Sequence, residues 1–330
     1  MAVLVCGGAG YIGSHMAAVL VENDYSVVAV DNLSMGHRLA VWPGVSFYEG
    51  DIRDGSFMNK VFNEHDIDAV INFAAHMQVG ESVENPAKYY DNNVIGTLAL
   101  LDQMLKHGVK KLVFSSSASV YGVPNRIPIE ENLPTSPISP YAETKLAAEK
   151  MLKWYDTAYG LKYVALRYFN VAGAHESGRI GEDHNPESHL IPICLHAAQG
   201  KIPTLKIFGD DYDTRDGSCI RDYVHVTDLA DAHILALEKL NQTSSSAIYN
   251  LGSQNGFSNK EVVAMAKKIT GIDFPVEIEG RRPGDPPILV ASSQKIRSQL
   301  GWNPMRTTIE TIISTAWAWH TSHPNGYSDR

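Results

Sequence analysis

Ala2-Val3-Leu4-Val5-Cys6-Gly7-Gly8-Ala9-Gly10-Tyr11-Ile12-Gly13 is the stretch on which the fold turns. Ala2 to Cys6 is a short apolar run of strand length, and the glycines interrupt it. A helical periodicity follows from Ile12 to Glu22, then a second apolar run, Ser26 to Val30, ending at Asp31. Strand, glycine turn, helix, strand and acid is the order of a dinucleotide-binding unit. Gly8 and Gly10 let the backbone turn tightly against a pyrophosphate, and Gly13 lets the helix pack closely on the strand. Asp31 falls where an acid bonds the adenosine ribose hydroxyls and repels a 2′-phosphate, which favours NAD over NADP.

The units that follow repeat the alternation. Val45 to Tyr48 reads as a strand, with Asp51 and Ile52 after it placed to cap an adenine pocket. Asp54 to His65 reads as a helix and Ala69 to Phe73 as a buried strand. Ala74-Ala75 then make a small-residue turn beneath a ligand. Pro86 to His107 is a long helical pattern broken by Asn92, Asn93 and Gly96. Two amides on a mostly buried helix need partners, one of them in a neighbouring strand or the active-site backbone. Lys111 to Ser115 is the next strand, and it delivers Ser115-Ser116-Ser117 at its C-terminal end, where doubly wound sheets bind ligands. The pattern predicts a Rossmann-type α/β fold with a parallel sheet and helices on both faces. Beyond the strand Tyr163 to Tyr168 the alternation fails. Gly173 to Leu190 reads as loop, and so does Arg281-Arg282-Pro283-Gly284-Asp285. The expected division is a cofactor-binding lobe over 1–170 and a smaller, mixed α/β substrate lobe over 171–330, with segments returning to the first.

Chemistry enters at Tyr141 and Lys145. Pro140 marks the start of a helical run to Tyr159, so the two residues, four apart, share a face. A phenol with a pKa of ~10 is a poor base at neutral pH, and a fixed ammonium nearby favours its phenolate. The pair alone fits equally well a chance aromatic and a solvated lysine on an amphipathic helix. Composition narrows the classes further. The 330 residues are 44% hydrophobic and 20% charged, with a formal charge of −9, which argues against sequence-independent nucleic-acid binding. Three widely spaced cysteines suggest a reducing compartment. With no leader-like start and no run of ~20 apolar residues, a soluble cytoplasmic protein is expected. His175, His184, His189 and His196 show no paired metal-binding spacing and read as surface or loop residues, so no metal is expected.

Gly7-Gly8-Ala9-Gly10-Tyr11-Ile12-Gly13, Ser115-Ser116-Ser117-Ala118-Ser119-Val120-Tyr121-Gly122, Tyr141 with Lys145, and Leu166-Arg167-Tyr168-Phe169-Asn170 together resemble the extended short-chain dehydrogenase/reductase family. Ile207-Phe208-Gly209, Arg221-Asp222-Tyr223 and Arg282-Pro283-Gly284-Asp285 extend the likeness along nearly the whole chain. Within the family the likeness is to enzymes that invert C4 of UDP-hexoses and serve galactose metabolism. It implies NAD held by Gly7, Gly10, Tyr11, Ile12, Gly13, Asp31, Asn32, Asp51, Ile52, Phe73, Ala74, Ala75, Asn92, Ser115, Tyr141, Lys145 and Phe169. It implies catalysis by Tyr141 as base, with Ser117 relaying the proton and Lys145 bonding the nicotinamide ribose and keeping Tyr141 acidic. It also implies a UDP-sugar contacting Ser117, Tyr141, Asn170, His189, Leu190, Arg221, Arg282 and Asp285, with Lys206 and Phe208 lining the uracil. A homodimer through the Pro86 and Tyr141 helices is implied as well.

Three positions depart from the family pattern: His189 replaces an asparagine, Met77 a lysine, and Leu289 stands where a tyrosine or a smaller residue bounds the sugar. Leucine, intermediate in size, is expected to admit 2-N-acetyl sugars at lower efficiency. A sugar-nucleotide 4,6-dehydratase would need an Asp-Glu pair where this chain has a serine and an alanine. A non-catalytic NAD-binding regulator typically lacks the tyrosine or lysine kept here.

Overall fold

The computed structural model describes residues 1–243, 245–282 and 285–328. Thirteen strands occur among them, in chain order: β1 (Ala2–Cys6), β2 (Ser26–Asp31), β3 (Ser46–Glu49), β4 (Ile67–Asn72), β5 (Lys111–Ser117), β6 (Lys162–Tyr168), β7 (Asn170–Ala172), β8 (Leu205–Phe208), β9 (Ile220–His225), β10 (Ala247–Leu251), β11 (Gly256–Ser258), β12 (Val276–Glu279) and β13 (Ile288–Leu289). Seven of them form one parallel sheet in the order β10-β6-β5-β4-β1-β2-β3. The chain winds outward from β1 in both directions, so β1 and β4 flank the switch point at which such sheets open a crevice.

Burial explains why these segments are strands. Val3 to Cys6 and Ala69 to Ile71 are apolar and wholly covered, as expected where helices lie on both faces of a sheet. One face packs Val3, Val5 and Ile71 with Met16, Leu20, Leu229 and Leu237. The other packs Leu4, Cys6 and Val70 with Met58, Leu100, Leu101 and Leu152. Helix Gly55–Glu64 starts where Asp54 accepts from the N–H groups of Ser56 and Phe57, which satisfies two otherwise orphan donors.

The Pro86 helical pattern is continuous to Lys106 but widens to a π turn over Tyr90–Ile95. Asn92 and Asn93 sit inside that turn, and such insertions often mark functional sites. A second core joins helices Leu190–Ala198, Asn259–Thr270 and Ile309–Ser322. Beside it lie the small sheets β11-β9-β13, with β7 pairing β9, and β12-β8. Strand β9 was not anticipated: Ile220-Arg221-Asp222-Tyr223-Val224-His225 lacks alternation because it is covered on both sides. Of the Arg281–Asp285 stretch expected as loop, Pro283 and Gly284 lie outside the described residues.

Candidate active site

The ends of β1, β2 and β4 border an open cleft. Its floor is set by glycine. Gly7 has φ +78°, and a Cβ there would lie 2.8 Å from the Ala74 nitrogen; one on Gly13 would lie 2.0 Å from the Gly7 oxygen. Helix Tyr11–Glu22 begins at Gly10 with no side-chain cap and no acid in its first turn. Its positive end is thus left open to an anion. Asp31 ends β2 with Oδ2 accepting from Ala9 N at 3.0 Å and Oδ1 from Leu33 N at 2.8 Å. Burial raises its pKa, and these donors oppose the rise. A backbone cradle, an open helix end and a buried acid at the end of the second strand fit a dinucleotide.

Ten of the expected cofactor residues border this cleft: Gly7, Gly10, Asp31, Asn32, Asp51, Ile52, Phe73, Ala74, Ala75 and Asn92. Asn32 and Asp51 bond each other at 3.0 Å, and Arg53 holds the Asp51 carboxyl well below its usual range. Val30, Ser34, Met35, Gly36, Gly50 and His76 also border it and were missed. For Gly36 a signal existed, since a glycine close after the acid leaves room that a Cβ, 2.9 Å from Asp31 Oδ1, would fill. Tyr11 turns away, donating to Gly173 O at 2.7 Å. Ile12 packs into the core and Gly13 lies beneath the turn. Ser115 is buried, with its hydroxyl in a hydrogen bond with Tyr168.

Beside the cleft, β5 and helix Pro140–Tyr159 bring together Ser117, Tyr141 and Lys145. Ser139 caps the helix through Ala142 N, and Pro140 fixes its first turn. Burial raises the Tyr141 pKa, and a hydrogen bond with Ser117 opposes that rise. Lys145 donates to Ser115 O at 2.8 Å and stands 5.9 Å from the Tyr141 ring centre. Burial lowers its pKa to about 8 against the opposing pull of Glu149. At Tyr141 desolvation thus prevails, and the Ser117 hydrogen bond is the contact that opposes it.

Two supports were only half legible. Asn93 accepts from His76 N at 2.8 Å, returns a bond to His76 O at 3.0 Å and reaches Thr144 Oγ1 at 3.1 Å. It thus ties the π turn to both the cleft wall and the Tyr141 helix. Glu149 and Arg167 form a buried bidentate pair at 2.8 and 2.5 Å. Ser116 donates to Glu149, Arg167 donates to Tyr121, and Tyr121 donates to Asn250 Oδ1 at 2.7 Å. Glu149 lies eight residues after Tyr141 on the same helix face, and that spacing was the available signal.

The substrate-side residues gather around β9. Asn170 donates to Asp222 O at 3.0 Å, and Arg221 donates to Pro286 O at 2.8 Å and meets Asp285 at 3.4 Å. The Arg282 guanidinium lies 3.7 Å from the Phe208 ring centre. Leu289 pairs in register with Arg221 and packs with Phe169 against Val120, Tyr121, Ile129 and Leu146. Lys206 is exposed and pairs with Glu279 at 2.9 Å. Leu190 opens its helix directly after His189, whose Nδ1 is 2.9 Å from both Glu182 and Glu187. Burial would lower the His189 pKa, but the two carboxylates hold it well above the ordinary value. His184 is also drawn to this pair; it lies in the loop, as expected, but with its side chain buried.

The sequence profile of the NAD dependent epimerase/dehydratase family matches residues 3–252. The chain is 56% identical over 328 residues to a UDP-glucose 4-epimerase of Halalkalibacterium halodurans, covering 99% of this chain and 98% of that protein. A crystal structure of a UDP-glucose 4-epimerase superposes with a TM-score of 0.98 at 51% identity, over 99% of this chain and 100% of the other. The Bifidobacterium longum UDP-glucose 4-epimerase in complex with NAD+ and UDP superposes at 0.94 with 41% identity, over 99% and 100% of the two chains.

Proposed function

The chain belongs to the NAD dependent epimerase/dehydratase family, and from that premise we propose that it interconverts UDP-glucose and UDP-galactose at C4, as an isomerase with NAD as cofactor. The observation that carries this reading is the Ser117–Tyr141–Lys145 group beside the glycine cleft. Bound NAD supplies a nicotinamide that accepts a hydride from C4 and returns it.

Tyr141 takes the 4-hydroxyl proton as the C4–H bond breaks and gives it back when that bond re-forms on the opposite face, so the cycle has no net redox change. A neutral phenol cannot begin this cycle. The Ser117 hydrogen bond favours the phenolate, and Lys145, 5.9 Å from the Tyr141 ring centre, is the cation beside it. Ser117, hydrogen-bonded to Tyr141, passes the proton between sugar and phenol in this reading. We assign the cofactor to residues 1–170 with later returning segments, and the UDP-sugar mainly to 171–330. Arg221 and Arg282 suit a pyrophosphate because each guanidinium offers several directed donors. A firm hold on the nucleotide beside a lightly held sugar lets the 4-keto sugar turn over between the two half-reactions.

The test is an NMR time course of purified protein with UDP-galactose and UDP-N-acetylgalactosamine and no added cofactor. Conversion of UDP-galactose to the gluco epimer is expected. No conversion even after NAD is supplied would remove this assignment. Activity on the acetylated sugar is a second reading, favoured by the intermediate volume of Leu289 at the edge of the Tyr121–Phe169 cluster. Leu289→Tyr is expected to lower acetylated relative to plain turnover by about tenfold, the effect of ~1–3 kcal/mol of steric discrimination. An unchanged ratio counts against this placement of Leu289.

We further infer a homodimer. Tyr90, Ile95 and Leu98 on one helix and Trp154 and Tyr159 on the other are exposed, with Trp154 68% accessible. Large apolar side chains on two adjacent helices suit burial against a second copy. Light scattering at micromolar concentration is expected to return twice the 36.2 kDa chain mass; a monomer mass overturns the inference. No helix among the described residues is long and apolar enough to cross a membrane. All three cysteines are free and buried, which supports a reducing, cytoplasmic setting.

A further inference from the structure

Glu182, His184, Glu187 and His189 lie within eight residues of one another and play no part in the chemistry above, apart from the substrate contact implied for His189. Each offers one nitrogen or oxygen to a common point, and the four atoms lie within 4.8 Å of one another. His184 Nδ1 is 3.2 Å from Glu182 Oε1 and 3.5 Å from Glu187 Oε2, and His189 Nδ1 is 2.9 Å from Oε1 of each glutamate. The Glu182 and Glu187 side chains are only 5% exposed and that of His184 8%. Glu187 Oε1 also accepts from the N–H groups of Ser188 and His189, which orients the carboxylate.

These close approaches are not all hydrogen bonds. Glu182 Oε1 and His184 Nδ1 are both buried and neither has a hydrogen-bond partner, although they face each other. A buried carboxylate and a buried imidazole left in that state are costly, and each calls for an occupant. Ligand atoms of a tetrahedral ion with bonds of ~2.0–2.2 Å stand roughly 3.3–3.6 Å apart, close to the separations here. Two carboxylates and two neutral imidazoles balance a double positive charge, and a mixed nitrogen and oxygen set suits a borderline cation.

We propose that Glu182, His184, Glu187 and His189 form a closed four-ligand site for a divalent cation of the zinc type. The ion is structural. It fastens the 173–190 loop between the nucleotide helix, whose Tyr11 ring lies 6.2 Å from that of His184, and helix Leu190–Ala198, which starts directly after His189. Gln78 adds a bond to Pro186 O on the same loop at 3.3 Å. The rival occupant is a pair of protons, which would make two imidazolium–carboxylate pairs of equal total charge.

Protein stripped with a chelator and titrated with Zn2+ by calorimetry separates the two. One equivalent is expected to bind, with protons released, and to raise the melting temperature. Co2+ in its place is expected to show the visible absorption of a four-coordinate ion. Glu182→Gln and His184→Gln are expected to lose the metal while keeping the wild-type circular dichroism spectrum. Stripped wild-type protein that takes up no Zn2+, or variants that bind it as the wild type does, overturns the proposal. The wild-type titration decides the matter even if a variant fails to fold.

Discussion

Tyr141→Phe is expected to lower kcat roughly 10²- to 10⁴-fold, the range contributed by a positioned acid–base group. The change removes one oxygen from a half-buried ring. Ser117 Oγ, its hydrogen-bond partner, keeps Ser119 N at 3.2 Å and Ser119 Oγ at 2.9 Å, so no buried group is orphaned. Melting temperature and cofactor content should therefore match the wild type, and KM for UDP-galactose should change far less than kcat. Stopped-flow absorbance of reduced nicotinamide after mixing with UDP-galactose reads the first half-reaction directly. A loss below tenfold would move the proton-transfer role from Tyr141 to Ser117.

Glu149→Gln is expected to cost about 3–5 kcal/mol of stability, because it leaves Arg167 charged and buried without its bidentate partner. The side chains of Glu149 and Arg167 are 4% and 5% exposed, so solvent cannot compensate. The loss should spread along the chain of contacts from Ser116 to Tyr121 and Asn250, since each donor was placed to serve the next. Urea unfolding measures it. The double change Glu149→Leu with Arg167→Met should cost less than Glu149→Gln alone, as apolar replacement of a whole buried pair often does. A Glu149→Gln protein as stable as the wild type would show that this pair is not what fastens the Tyr141 helix to β5 and β6.

The fold was legible wherever a residue's role is decided within a few positions. Strands β1, β2 and β4 are short apolar runs, Asp54 caps the helix that follows it, and Pro140 announces the next. The same holds for the cleft, because glycines and the acid at the end of β2 act through local backbone geometry. Contacts that close over long separations were hidden. Lys145 reaches back thirty residues to Ser115 O. Asn250 answers Tyr121 from 129 positions away. Strand β9 carries charged residues because Asp222 finds its partners in Ser253, Gln254 and Ala291, none of them near in sequence. The pairing of Lys206 with Glu279 on the neighbouring strand is another such contact.

The edge strand of the large sheet, β10, has a consequence for how this protein comes into being. It pairs with β6 at Tyr249↔Leu166, and its Asn250 completes the Tyr121 contact. A nascent chain released only as far as β6 would present an open strand edge and a Tyr121 hydroxyl proton without its acceptor. The sheet can close only after Leu251 has left the ribosome, by which point β7, β8 and β9 are already outside. Assembly of the nucleotide half must wait for a later part of the chain, and that long-range closure marks a slow step during which the β6 edge is exposed to other chains.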